Sequence, residues 1–146
     1  MASRVNQPSS AFATSRRARD VEAVKDPRHL AWIRTLPSVI SGTHGCVAAH
    51  INFADRRYGK PERGKSKKAD DRFVLPITPW EHTDGPDAQH RTGKEKAWWA
   101  ARGIDATTLA NDLWRVSGDT EAAMAILRET WRQRSRLRRP MQGGAC

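Results

Sequence analysis

At 146 residues the chain is long enough for one domain with a modest core and too short for two comfortable ones. A formal net charge of +10 and a pI near 10.6 call for a polyanionic partner, nucleic acid before an anionic membrane surface. No apolar run nears the roughly 18 residues of a membrane span and no signal-type hydrophobic region opens the chain, so a soluble cytoplasmic protein is expected. Cys46 and Cys146 are the only cysteines, which excludes a four-cysteine zinc site and argues against a disulfide framework.

Residues 1–25 are rich in Ser, Ala and Arg, with a basic cluster at Arg16, Arg17 and Arg19, and read as a disordered arm. Asp26-Pro27 opens a first helix, Asp26 as cap and Pro27 in the first turn. Leu30, Trp32 and Ile33 form its apolar side, and Pro37 ends it. His29 falls on the charged side of that helix and is given no chemical role. Two β-like segments follow, Cys46 to Phe53 and Arg72 to Ile77. The Gly- and Lys-rich connection between them, Asp55 to Lys68, reads on composition equally as a loop facing phosphate or as a plain solvated loop, with Arg56, Arg57, Lys60, Lys65, Lys67 and Lys68 as its candidate nucleic-acid contacts.

Thr78-x-x-Glu81 is a capping box with Pro79 at the first helical position, yet Gly85-Pro86 stops this helix within about two turns. So short a helix contributes little as a packing element; it serves to aim His82. Lys94 to Arg102 then forms a helix carrying Trp98 and Trp99, ended by Gly103. Asp105 caps a helix with Leu109, Leu113 and Val116 on one face, closed by Gly118. Asp119 caps the last helix, through Ala123, Leu127 and Trp131, which runs into Arg132, Arg134, Arg136, Arg138 and Arg139 before Pro140. The tryptophans sit at helical spacing beside other apolar residues and are assigned to the core.

Among the five histidines, His44 lies in a glycine-flanked turn and is a lesser candidate. His50 sits inside the first strand, where an imidazole requires a partner. Pairing the two strands brings it towards His82 and His90, with an acidic residue at the neighbouring strand end (Asp70-Asp71). Imidazoles and a carboxylate within a basic surface suit metal-assisted phosphodiester hydrolysis. One histidine takes a proton from water, others hold a divalent ion, and a carboxylate sets the tautomer of the base.

The series His50-Ile51, Tyr58-Gly59-Lys60, Asp71, Val74-Leu75-Pro76-Ile77, His82, Gln89-His90 and Trp98-Trp99 resembles the HNH endonucleases, in particular the phage and prophage recombination-enhancement (Ref-like) branch. The resemblance spans about Pro27 to Gly118. It implies an α+β fold, a small ββα-metal hairpin–helix motif packed against several α-helices, with the capped turn as the α element. It also implies DNA as substrate, a recombinase filament as a possible partner, and Mg²⁺ or Mn²⁺ at the catalytic centre. His50 takes the place of the general base and Asp71 falls near the middle Asn/Asp position. His82 and His90 match the metal-binding histidines, His82 counting with the catalytic set. A nuclease domain over 26–131 then lies between the arm and a basic tail over 132–146, in which Arg132 and Arg136 join the nucleic-acid-binding set. The alternative is a catalytically inactive accessory protein that binds DNA or a recombinase on the same scaffold.

Many relatives in that family carry two CxxC pairs holding a structural zinc. Here the cysteine positions are Ser38 and Ser41 in the first pair, Thr78 and Glu81 in the second, so structural zinc is not expected. A cap is worth about 0.5–2 kcal/mol, against about 10–16 kcal/mol apparent for structural zinc in small peptides. Apolar burial by the helices after Trp98 must supply the difference.

Overall fold

Aspartates begin three of the four α-helices, and in a computed structural model describing residues 22–63 and 68–139 each accepts an otherwise unpaired amide. Asp26 caps α1 (Pro27–Thr35) by accepting from His29 N, Asp105 caps α3 (Ala106–Arg115) through Thr108 N, and Asp119 caps α4 (Thr120–Arg138) through Ala122 N. Helix α2 (Glu95–Ala101) has no side-chain cap and carries the two buried tryptophans. Together with one antiparallel pair of strands, β1 (Val47–His50) and β2 (Val74–Ile77), these helices make an α+β fold.

The strands run in register from Val47 opposite Ile77 to His50 opposite Val74. Helices α1 and α3 pack on β2, all four residues of which are buried. Pro76 has no N–H for a ladder bond, but its carbonyl accepts from Val39 N at 3.0 Å. The 38–43 loop thus lies along β2 at a point where a bare strand would invite pairing with another chain. Ile33, Leu36, Leu75, Ile77, Trp99, Leu113 and Leu127 are fully buried in a single core. Trp98 and Trp99 meet edge to face, centroids 4.9 Å apart, as their core assignment requires.

Helix α4 closes the fold over the 38–43 loop. Trp131 Nε1 donates to Val39 O at 3.0 Å, and Arg134 Nη1 donates to Val39 O and Ile40 O at 3.1 and 2.6 Å. The helix continues through Arg138 and Arg134 is buried, so residues 132–138 are part of the folded domain and not of a basic tail. The expected arm also shortens: Val24 O accepts from Asp71 N at 2.9 Å and Lys25 Nζ donates to Ala69 O at 2.7 Å. Residues 1–21, with Arg16, Arg17 and Arg19, lie outside the described residues, as do Lys65, Lys67 and Cys146.

The polar connection after β1 contains a folded turn. Asp55 and Lys60 form a bridge around a 3₁₀ turn, Arg56–Tyr58. The Lys60 ammonium is buried against the Phe53 and Phe73 rings and donates to Phe53 O at 2.6 Å. It is therefore engaged by the protein's own carbonyl and rings. Arg57 lies between Asp55 and Asp105 with short bonds to both. Arg56 and Lys68 are exposed.

His29 also departs from its expected place. It is buried between α1 and α3, its Nδ1 2.7 Å from Ser117 Oγ and its ring edge-on to Trp114, and Nε2 has no hydrogen-bond partner among the described residues. Burial lowers its pKa, with Asp26 and Asp71 opposing. The unfolded chain, with an ordinary value near 6.5, then binds more protons than the fold. Stability is complete above about pH 6.5 and falls as pH drops through that value towards the folded pKa. Urea melts of His29→Gln should show a flatter stability profile between about pH 5 and 6.5 than the parent chain; an unaltered acid limb would remove His29 as its cause.

Candidate active site

His50 is the last residue of β1, and antiparallel pairing sets it opposite Val74, three residues after Asp71. The two side chains meet there: His50 Nε2 lies 2.8 Å from Asp71 Oδ1. The Asp71 carboxylate is 2% exposed and is occupied on both oxygens, since Oδ2 accepts from Asp26 N at 2.8 Å. The cap residue of α1 thereby fixes the carboxylate, and Lys25 Nζ stands 3.9 Å from Oδ1. With the carboxylate accepting, the shared proton resides on Nε2 and the lone pair on Nδ1, which has no hydrogen bond among the described residues.

The next step along the chain is the turn that carries His82. Both bonds of the capping box form: Glu81 Oε2 accepts from Thr78 N at 2.8 Å, and Thr78 Oγ1 accepts from Glu81 N at 3.3 Å. The turn they start, Trp80–Asp84, is wider than an α-helix, closing with Gly85 N on Trp80 O at 2.8 Å. A Cβ on Gly85 would stand 2.7 Å from Trp80 O and 2.9 Å from Trp80 Nε1. Only glycine permits this closure.

From this turn His82 faces His90, Nε2 to Nε2 at 2.8 Å, with ring planes at 71°. Burial lowers the pKa of His82, His90 and His50 add to the lowering, and Asp84 opposes it. Burial and the neighbouring imidazoles favour the neutral ring, whose lone pair is what a metal ion or a hydrogen-bond donor would take. The separation is that of an N–H···N hydrogen bond, and the two rings would be the nitrogen donors if a divalent ion were held here. His44, the lesser candidate, is exposed in its turn.

Sequence reasoning missed the residues that aim these groups. Glu95, the first residue of α2, accepts from Asn52 N at 3.1 Å and from Gln89 Nε2 at 2.8 Å. One carboxylate thus ties the end of β1 to the His90 turn. Trp98 Nε1 and Arg102 Nη2 donate to Asp87 O at 2.6 and 3.3 Å, the guanidinium 3.7 Å over the Trp98 ring. These contacts hold the 85–90 segment on α2. The Gln89-His90 pairing marked the segment in the sequence; nothing in the sequence marked Glu95.

Where the resemblance implies cysteines, side-chain oxygens form a small network. Ser38 Oγ donates to Glu81 Oε2 at 2.6 Å and accepts from Ile40 N and Ser41 N at 3.1 and 3.2 Å. Cys46 is buried nearby, its thiol pushed up to about 11 by burial and by Glu81; at neutral pH it is a thiol and a poor metal ligand. No group of three or more His, Cys, Asp or Glu side chains positioned to hold a metal occurs among the described residues.

The chain matches no protein-family model, no curated protein and no solved structure.

Glu81→Ala should lower unfolding stability by about 1–3 kcal/mol, because it strands the Ser38 hydroxyl and the Thr78 amide, whereas EDTA should leave the thermal midpoint of the parent chain unchanged. Chemical denaturation and a chelator-treated melt check both. Loss of structure in EDTA would mean that a metal supports the fold.

Proposed function

We propose that the protein is a metal-dependent, HNH-type DNA endonuclease, with β1 and β2 as the hairpin and the Trp80–Asp84 turn in place of the α element of a ββα-metal motif. The observation that carries this reading is the His50–Asp71 dyad beside the His82–His90 pair. Asp71 retains the proton on Nε2 and orients the ring; His50 Nδ1 then takes a proton from the attacking water. The imidazolium so formed is stabilised by the same carboxylate. His82 and His90 would hold a divalent ion, which supplies neutralisation of charge on the phosphate and the leaving oxygen. Mg²⁺ demands hard oxygen donors, so of the two ions implied by the resemblance Mn²⁺ suits two imidazoles better. Phosphate contacts from the basic surface, with Arg56, Lys68 and Arg136 exposed on it, bring DNA to the site without reading bases. Action in phage or prophage recombination beside a recombinase filament rests on the resemblance alone.

A second reading has its own observation. The His82–His90 pair satisfies itself as a hydrogen bond, which favours an inactive accessory protein that binds DNA or a recombinase. Plasmid and single-strand nicking in Mg²⁺, Mn²⁺ or EDTA, with and without a recombinase, separates the two. The nuclease reading expects metal-dependent nicking, a drop of about 10²–10⁴ in rate for His50→Ala, and nearly unchanged DNA affinity. Full activity in folded His50→Ala protein would overturn the role of His50, and DNA binding without cleavage under every condition would favour the accessory protein.

A further inference from the structure

The face of α4 that packs on the 38–43 loop leaves a small cavity beside it. Trp131, Arg134, Ser135 and Arg138 follow i, i+3, i+4, i+7 spacing and share that face. With Ile40, Ser41 and Gly42 they line a cavity of about 280 Å³, below the roughly 300–1,000 Å³ of drug- or cofactor-sized pockets. Arg134 is 6% exposed. Its Nε donates to Arg102 O at 2.8 Å and its Nη1 to Val39 O and Ile40 O, while Nη2 has no hydrogen-bond partner among the described residues. No carboxylate touches this guanidinium there. A buried cation without a counter-charge is costly, and carbonyl dipoles compensate only part of it.

The surrounding charges deepen the deficit. Arg138 and Arg102 both repel Arg134, and Glu81 alone opposes them. Glu81 is already engaged by Ser38 Oγ and Thr78 N. Arg138 is exposed and has no ion pair among the described residues. Ser41 Oγ accepts from Thr43 N at 3.4 Å, which leaves its hydroxyl proton to donate. Ser135 Oγ donates to Trp131 O at 2.9 Å and offers no proton.

We infer that this cavity is a subsite for a backbone phosphate of nucleic acid, bound by the Arg134 and Arg138 guanidiniums with the Ser41 hydroxyl as a further donor. The inference rests on the nucleic-acid reading above and adds a second point of attachment for the strand. Loop 38–42 links the two places: its Ser38 holds Glu81, the residue before His82, and its carbonyls hold Arg134. Arg132 and Arg136 do not belong to this face, and Arg132 is paired with Glu129 at 3.0 Å.

The test measures binding of the full chain in EDTA, so that it does not depend on cleavage. Arg138→Ala should flatten the slope of log affinity against log salt by about 0.9 on duplex DNA or about 0.7 on a single strand. Arg115→Ala, the same charge change at the exposed last residue of α3, is the control and should do less. Ser135→Glu places a carboxylate in the cavity: the thermal midpoint should rise as Arg134 gains a counter-charge, and oligonucleotide affinity should fall at least fivefold. Amide shifts of Ser41, Gly42 and Ser135 should move with a short oligonucleotide and with inorganic phosphate in the parent chain, and with neither in Ser135→Glu. Equal effects of Arg138→Ala and Arg115→Ala, or Ser135→Glu binding within twofold of the parent, would overturn the subsite while leaving a cleaving, DNA-binding protein intact. Shifts with phosphate but none with oligonucleotide would overturn it as well. Failure to bind any nucleic acid would remove the underlying reading and this inference together.

Discussion

A carboxylate shut away from water is costly unless its oxygens are hydrogen-bonded, and the structure is organised around supplying a partner to each oxygen of Asp71. One oxygen takes the His50 ring and the other takes the amide of Asp26, while the Asp71 amide returns to Val24. Those contacts bring β1, the approach to β2, and the start of α1 to a single point. The His50 ring and the start of α1 are secured by the same side chain.

The second constraint lies at the 38–43 loop, where polar side chains and α4 stand at positions that the resemblance gives to cysteine. Each hydrogen bond of the Ser38–Glu81–Thr78 network contributes about 0.5–1.5 kcal/mol net, which is small beside a metal centre. Trp131 and Arg134 add donors to Val39 and Ile40 from the opposite end of the chain, and Leu127 and Ala123 bring apolar area with them. The long final helix thus does mechanically what a local ligand set would do chemically. Its cost is a guanidinium buried with no carboxylate in contact among the described residues, which is the ground for inferring a phosphate subsite in the cavity beside it.

Around the His82–His90 pair the positioning is polar and indirect. Glu95 joins β1 to the His90 turn, and Asp87 O is held twice from α2. The rings meet because short segments too weak to hold a shape alone are each tied to a helix.

Much of this was legible in the residues. The three aspartate caps, the capping box at Thr78 and Glu81, and Trp98 and Trp99 as core follow from rules acting within a few residues or from a period, whereas Trp80, assigned to the core with them, is 65% exposed. These local signals stand because a cap bond or an alternation needs no distant partner. What only the tertiary structure decided concerns residues whose environment is made by chain far away. His29, on the charged side of a helix by periodicity, is buried because Trp114 of α3 and Ser117 just past its end cover it. Lys60, in a loop too polar for a core, is buried because Phe53 and Phe73 close over its stem. Arg134, one of a run of arginines, is separated from its neighbours only by the helical face that meets the 38–42 loop some ninety residues earlier. Burial is a property of two surfaces, and the sequence around any one residue describes only one of them.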